Sequence, residues 1–443
     1  MKLIMKLSKY NIAVLRNNKV IIFNTYRNSY VLLSQEQYSK LLDKSYLSNL
    51  QINHNVIFDK LIGAGVIVDD ATDEYQLLLN EYKKQVLDSS IYDLTLLPSL
   101  DCNLRCWYCY EKHIKGSHLS EEIQNKIFKH VVSVFENNKL LEGLNVEMFG
   151  GEPLLYFDSE LYTLLKRIKD YSEKSNKYAS FFFITNGVCI NESNIHKFCD
   201  LNASFQISID GYKTTHDKVK FINAKGGTYD HIIKVVHMIV NQDTFMFVNL
   251  RVNYNDETLE YLPMIIQDLK NVDRNKIRIH LERVWQTSSK GKCSSIKLME
   301  VINEFILNGF DVSYMNLSRR SYSCKASKSM HSIISYDGAV YKCTGRDFTS
   351  HHQEGILDDN GIIFWDKVKY EKRISIRTFE APKCNSCKLL PLCWGPCNQK
   401  ILESGFSDIS RFCQIQNMEM SLEDYVIYRF NNYYSKYKLN SHG

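Results

Sequence analysis

Leu97-Pro98-Ser99-Leu100-Asp101-Cys102-Asn103-Leu104-Arg105-Cys106-Trp107-Tyr108-Cys109-Tyr110 places Cys102, Cys106 and Cys109 in a CxxxCxxC loop directly after a β-prone apolar run at 92–97. A 4Fe-4S cube has four iron corners. Three thiolates from one short loop can bind three of them and leave the fourth open to a cofactor or substrate. The residues alone also allow a zinc loop lacking its fourth ligand, or chance spacing. Agreement between the motif and its place at a strand end weighs against both.

Outward from this loop, β-prone runs alternate with amphipathic helical ones, the pattern of βα units on a parallel sheet. Strands are expected at 92–97, 144–149, 180–185, 204–209, 245–252 and 277–281, with helices starting near Ser120, Ser159, Glu192, Tyr229 and Thr258. The fold class is α/β, an open partial TIM-like (β/α)6 barrel over 91–289, with ligands at the carboxyl ends of the strands. Before it, 1–90 reads as a small α+β domain and linker. Short strands at 11–16, 19–24 and 29–33 are broken at Asn17-Asn18 and 25–28. A capping box at Ser34 to Gln37 starts a helix through Leu42, and further helical segments follow at 56–62 and 74–87. After Lys290 regularity fades and cysteines crowd, so 290–443 reads as an irregular cysteine-rich domain ending in a helix at 418–437.

The chain has 443 residues, a formal charge of +5 and no long basic run, which gives no reason to expect nucleic acid as a partner. The N-terminal MKLIMKLSKYN lacks the apolar core of a signal peptide, and no stretch is long and apolar enough to span a bilayer. Neither export nor membrane insertion is expected. Thirteen cysteines then read as reduced thiolates for metal binding or catalysis in a cytoplasmic protein. Cys189 and Cys199 read as small buried hydrophobes.

CxxxCxxC with an aromatic residue before the last cysteine, as in Cys106-Trp107-Tyr108-Cys109, resembles the radical S-adenosylmethionine (radical SAM) superfamily. Phe149-Gly150-Gly151-Glu152-Pro153 resembles its GGE motif, whose backbone and acidic side chain meet the cofactor's amino group. The resemblance implies that the methionine amino and carboxylate groups chelate the open iron and that Tyr108 lies near the adenine through its backbone. Asn186 in Ile184-Thr185-Asn186-Gly187, Ser208 and Asp210 in Ser208-Ile209-Asp210-Gly211, and Arg251 in Arg251-Val252-Asn253 fall at later strand ends. By the same resemblance Ser208 contacts ribose or carboxylate, Asp210 shapes that loop and Arg251 neutralises the cofactor carboxylate. Short polar side chains at such places also simply close turns. His216 and Asp217 match the family segment after the fourth strand, and a solvent-facing helix start explains them as well.

Cys324-x13-Gly338-x4-Cys343 and Cys384-x2-Cys387-x5-Cys393-x3-Cys397, then Cys413, resemble the SPASM domain of many radical enzymes. Zinc knuckles are the alternative from spacing alone. The resemblance implies two auxiliary 4Fe-4S clusters beside the radical cluster. Cys384, Cys387, Cys393 and Cys413 would hold one, and Cys324, Cys343 and Cys397 the other, with Cys293, a substrate thiolate or a noncysteine group as its fourth ligand.

The strand-then-helix order of 1–90 resembles the winged-helix-like peptide-recognition domain that accompanies enzymes modifying ribosomally made peptides. The expected function is therefore a radical SAM peptide maturase. One electron, from a reduced flavodoxin or ferredoxin, cleaves S-adenosylmethionine to a 5′-deoxyadenosyl radical that removes hydrogen from a precursor peptide, forming a thioether or other crosslink. An anaerobic sulfatase-maturing enzyme, which makes formylglycine, is the alternative. That subgroup has an aspartate directly after the cysteine equivalent to Cys343, whereas this chain has Thr344, with Asp347 a few residues on as the one general-base candidate. An iron-sulfur electron carrier or redox-sensing regulator is the alternative of another class, and it has no need of the GGE motif.

Overall fold

The computed structural model describes residues 4–53, 55–222, 226–284, 286, 295–315, 317, 324–376, 378, 381–404 and 409–440. They divide into two compact units. One comprises Met1–Val86, Asn316–Cys324 and Ile376–Gly443, and the other Leu87–Met315 and Lys325–Ser375.

The second unit is built on an 11-stranded sheet. Its parallel part runs outward from Ile91–Ser99 through Gly143–Gly150, Tyr178–Thr185, Ser204–Asp210, Val248–Tyr254 and Ile277–Arg283 to Asp311–Tyr314, each pairing with the next. The first six are the expected barrel strands. Ile91–Ser99 is buried along almost its whole length, as parallel strands covered on both faces must be. Helices Glu121–Asn137, Tyr162–Lys174 and Tyr229–Val240 cover the sheet, and Phe157, Phe183, Phe198 and Phe205 interlock beneath them, with Phe157 stacked on Phe198 at 4.2 Å.

The compact units cut the chain differently from the boundaries expected at 90 and 290. Among the described residues after 290, helix Ser295–Leu307 and strand Asp311–Tyr314 add a further repeat to the sheet. On the other edge, His331–Ser335 pairs in parallel with Ile91–Ser99, and three short antiparallel strands continue outward from it. Such pairing between distant segments leaves no local mark in a five-residue strand.

In the first unit, Asn11–Arg16, Lys19–Asn24 and Ser29–Ser34 form an antiparallel meander. Asn17 and Asn18 both take positive φ, 49° and 59°, which a two-residue hairpin of this hand requires. Ser34 and Gln37 close the expected capping box with bonds of 3.1 and 2.8 Å, starting helix Gln35–Leu41. Helices Lys44–Asn53 and Asn55–Gly63 follow, and Leu47, Leu50, Phe58 and Leu61 pack against Val20 and Ile22. The cysteine-rich segment shares a core with this region, because Tyr10, Leu78 and Tyr82 pack against Leu390 and Trp394. Helix Leu422–Asn440 is tied to the meander through Arg429, which donates to Asn28 Oδ1 at 2.7 Å.

Candidate active site

The cysteine loop leaves the sheet at Ser99 and is held by groups other than its thiols. The Asp101 N–H donates to Ser99 Oγ, and the Asp101 carboxylate accepts the N–H groups of Cys102 at 2.7 Å and Gly116 at 2.9 Å. Burial would raise the Asp101 pKa, but these bonds and Arg105 hold it below its ordinary value. The Cys109 N–H closes a turn on the Cys106 carbonyl at 3.0 Å. Burial pushes the Cys102 thiol up to about 12 and raises Cys106 and Cys109 as well. Thiolates in such a place need a cation to answer their charge.

Gly150 and Gly151 pass under this loop at a separation that excludes a side chain. A Cβ on Gly150, whose φ is +109°, would lie 2.6 Å from the Ser99 carbonyl oxygen, and one on Gly151 would lie 2.3 Å from that of Asp101. The N–H groups of Gly151 and Glu152 donate to those same two oxygens. The glycines therefore seat the cysteine loop as well as bordering the cavity above it. Gly151→Ala is expected to displace Asp101, lower iron uptake on reconstitution and cost about 1–3 kcal/mol of stability. Gly63→Ala, which meets nothing within 4 Å, is the control, and both effects are read from iron content and thermal melting.

Glu152 is only 1% exposed and points behind the cavity. Its Oε1 accepts the Thr185 hydroxyl at 2.6 Å and the Leu154 N–H at 3.1 Å, and its Oε2 accepts the Asn186 N–H at 2.9 Å. Burial still raises its pKa. Glu152 ties the second strand to the end of the third and is not among the described residues lining the cavity. Asn186 carries that link onward, donating to Asn103 Oδ1 at 2.8 Å within the cysteine loop.

Tyr108 is anchored by its side chain. Its hydroxyl donates to Asp210 Oδ1 at 2.6 Å and accepts from Asn253 Nδ2 at 3.1 Å, and Asn253 also donates to Asp210. Lys220 lies 3.4 Å from Asp210 Oδ2, with side chains 3% and 8% exposed, and donates to Ser208 Oγ at 2.6 Å. Burial favours the neutral acid, yet Lys220, Tyr108 and Asn253 together hold the Asp210 pKa below its ordinary value. His216 accepts the Asp210 N–H at Nδ1, so its Nε2–H faces Thr228 Oγ1 at 2.9 Å. Burial brings its pKa down to about 4, and the ring is fully buried, which sets aside the solvent-facing helix start as the explanation of His216. Asp217 accepts the Tyr229 N–H at 2.9 Å at the next helix start.

These strand ends enclose a cavity of about 240 Å³ that Cys102, Cys106, Cys109, Ser208 and Arg251 all border. Arg251 donates to Asn253 Oδ1 at 3.1 Å and lies 4.0 Å from Glu282. Asp347 is not among the described lining residues, and its carboxylate is turned to His352 Nδ1 at 2.7 Å. Thr344, in the aspartate position of the sulfatase-maturing subgroup, accepts the Tyr110 hydroxyl at its carbonyl at 2.7 Å.

Residues 96–269 match the family model of the Radical SAM superfamily. That stretch is a radical SAM domain. An uncharacterized protein of Methanocaldococcus jannaschii is 25% identical over 297 residues, 63% of this chain and 94% of its own length. A cysteine-type anaerobic sulfatase-maturating enzyme of Clostridium novyi is 22% identical over 68% of this chain and 86% of its own. Among solved structures, Streptococcus suis SuiB bound to precursor peptide SuiA aligns with a TM-score of 0.53 at 16% identity, over 93% of this chain and 100% of SuiB. The enzyme anSMEcpe with bound AdoMet and Cp18Cys peptide aligns with a TM-score of 0.53 at 16% identity, over 79% of this chain and 97% of its own. Structural likeness at these identities speaks to the fold alone.

The residues of the radical SAM domain fit its cofactors, S-adenosylmethionine and a 4Fe-4S cluster. Three thiols, those of Cys102 and Cys106 half-buried, border one cavity with two glycines and with Glu111, whose buried Oε2 has no hydrogen-bond partner. Among the described residues no three His, Cys, Asp or Glu side chains are grouped so as to hold a single metal ion. A tetrahedral zinc needs such convergence, whereas the thiolates of a cube each bind a different iron.

In the first unit, Cys384, Cys387, Cys393 and Cys413 border one cavity of about 180 Å³. Burial pushes Cys384 up to about 11 and Cys393 up to about 12, with neighbouring cysteines adding to both. Cys324 and Cys397 belong to this unit and Cys343 to the other. Cys293 lies outside the described residues. Cys189 and Cys199 are half-buried, and Cys189 accepts from Asn103 at 3.5 Å. No described helix is long and apolar enough to cross a membrane.

Sequence reasoning missed two charged residues of the radical SAM site. Lys220 sits four positions after His216 and reads as a surface residue, because burial of a lysine has no local signature. Glu111 stands beside Lys112 and reads as solvated for the same reason. Burial, then the field of Glu152, pushes the Glu111 carboxyl up to about 7.

Proposed function

We propose that this radical SAM enzyme is a maturase that abstracts hydrogen from a ribosomally made precursor peptide and installs a crosslink such as a thioether. When bound, the cluster and S-adenosylmethionine supply the 5′-deoxyadenosyl radical. The chain's own residues position the reactants. Asp101 and the two glycines seat the cysteine loop, while Asp210, Asn253 and Lys220 fix Tyr108 and Ser208 on the wall facing it.

The observation that carries the peptide reading is the meander-and-helix region at the start of the chain. The fold of SuiB covers 93% of this chain against 79% for anSMEcpe, so SuiB accounts for more of its length. Ser29–Ser34 is an outer strand of its three-stranded sheet and offers a backbone edge to an extended peptide. Reduced flavodoxin or ferredoxin is the proposed electron donor.

Cys384, Cys387, Cys393 and Cys413 are proposed to hold an auxiliary 4Fe-4S cluster, and Cys324, Cys343 and Cys397 keep their assignment by spacing to a further one. Cys384→Ala with Cys387→Ala is expected to lower iron by about four atoms per chain. It should leave deoxyadenosine formation in place while abolishing peptide product. Unchanged iron contradicts the assignment.

The substrate class is tested with a short peptide encoded beside the gene, deuterated at its side chains. Deuterium in 5′-deoxyadenosine and a peptide lighter by the hydrogens lost on crosslinking support the reading. The Clostridium novyi relative favours a second one. A sulfatase-derived cysteine peptide that gains an aldehyde, with no turnover of the encoded peptide, would establish sulfatase maturation instead.

A further inference from the structure

Of the three loop thiols, Cys109 is exposed, whereas Cys102 and Cys106 are half-buried. Cys109 Sγ lies 3.6 Å from His113 Nε2, so the segment that follows the cysteines rests against the most exposed of them. Its backbone pins it there. The Ile114 N–H donates to the Leu100 carbonyl at 3.0 Å, and the Gly116 N–H donates to Asp101 Oδ2 at 2.9 Å. The side chains around His113 do not hold the segment in place. Lys112, Ile114 and Lys115 are exposed, and a Cβ on Gly116 would meet nothing within 4 Å.

The same loop shows apolar surface. Trp107, between Cys106 and Cys109, is 59% exposed, and Ile114 is 39% exposed. Between residues 101 and 116 the exposed ionised side chains are Arg105, Lys112 and Lys115, all cations, while Asp101 and Glu111 are half-buried. Asp101 engages Arg105 at 3.4 Å. Among the described residues no carboxylate pairs with Lys112 or Lys115. A protein that docks on this loop to deliver an electron therefore needs acidic groups around its redox centre. Trp107 and Ile114 suit the apolar edge of a flavin better than the thiolate-ringed cluster of a ferredoxin.

We propose that the exposed face of the cysteine loop docks an acidic flavoprotein carrier of the flavodoxin class, with Lys112 and Lys115 as its charged contacts. The inference rests on radical SAM chemistry at this loop and on an external carrier as the donor. One electron leaves the carrier's reduced flavin and enters the oxidised 4Fe-4S cluster beside His113, with no group transferred. Electrons enter at the radical cluster and need no passage through the auxiliary cysteines.

The test uses the full-length chain reconstituted without oxygen, as wild type and as Lys112→Glu with Lys115→Glu, with iron per chain counted on each. Calorimetry at low ionic strength gives the affinity for oxidised flavodoxin. Product chromatography gives the rate of 5′-deoxyadenosine formation driven by reduced flavodoxin or by dithionite. The double reversal is expected to weaken flavodoxin binding by at least about tenfold and to raise the flavodoxin concentration for half-maximal rate by a similar factor. Iron content should not change, and the dithionite-driven rate should stay within about twofold of wild type. Lys112→Arg with Lys115→Arg should bind as wild type does, and added salt should narrow the gap between wild type and the reversed variant. Unchanged flavodoxin binding, an equal loss of the dithionite-driven rate, or a wild type served by ferredoxin and not by flavodoxin overturns the proposal. A wild type that is active with dithionite and takes electrons from neither carrier overturns the external-carrier reading together with it. One that is inactive with dithionite overturns the radical SAM reading itself.

Discussion

Replacing Cys102, Cys106 and Cys109 together with alanine is expected to abolish 5′-deoxyadenosine formation and to remove about four iron atoms per chain. The loop itself should survive. Its anchors are the Ser99 hydroxyl, the Asp101 carboxylate, the Asn186 amide and the close backbone passage of Gly150 and Gly151, none of which uses a thiol sulfur as the essential partner. Loss of activity should therefore come without loss of the fold, and the auxiliary iron should remain. Iron counting, thermal melting and chromatography of the nucleoside products check the three parts separately. A triple variant that still releases deoxyadenosine removes the basis of the assignment.

Lys220→Met is expected to destabilise the protein by about 3–5 kcal/mol, the usual cost of stranding one partner of a buried ion pair. Asp210 would lose its cation while staying only 6% exposed, and Ser208 would lose the donor to its hydroxyl and its carbonyl. Because Asp210 also accepts the Tyr108 hydroxyl, the disturbance reaches the cysteine loop. Pairing Lys220→Met with Asp210→Asn should recover a substantial part of the loss, since the second change removes the stranded charge. Melting of the reconstituted single and double variants decides this. Additive losses would mean that Lys220 and Asp210 do not act as a pair.

The barrel was legible because its strands are buried apolar runs with polar motifs at one end, and the six expected strands are the central six of the parallel sheet. The sheet's extension through Asp311–Tyr314 and His331–Ser335 was not legible, because short strands owe their place to pairing with distant segments. Helix Lys44–Asn53 was missed too. Beyond Leu47 and Leu50 it is largely polar, and its apolar positions gain meaning only against Val20 and Ile22.

Within the site, the residues found from sequence were those whose type is itself a signal: cysteines at fixed spacing, paired glycines and short polar groups at strand ends. The residues missed were charges that the fold buries. Lys220 gains its place from Asp210 and Ser208, elements brought to it by the fourth strand, and Glu111 from the cavity it borders. The sequence position of Glu152 marked it for the cofactor, and only the third strand's Thr185 and Asn186 reveal that its carboxylate is already occupied.

The central claim is that the cavity above Cys102, Cys106 and Cys109 generates a radical from S-adenosylmethionine. The direct measurement uses wild-type chain purified and reconstituted without oxygen, assayed for iron and sulfide, then reduced with dithionite in the presence of S-adenosylmethionine. Iron and sulfide in cluster proportions with 5′-deoxyadenosine as product is the predicted result. A chain that takes up zinc without iron, or binds iron and releases no deoxyadenosine, would contradict it.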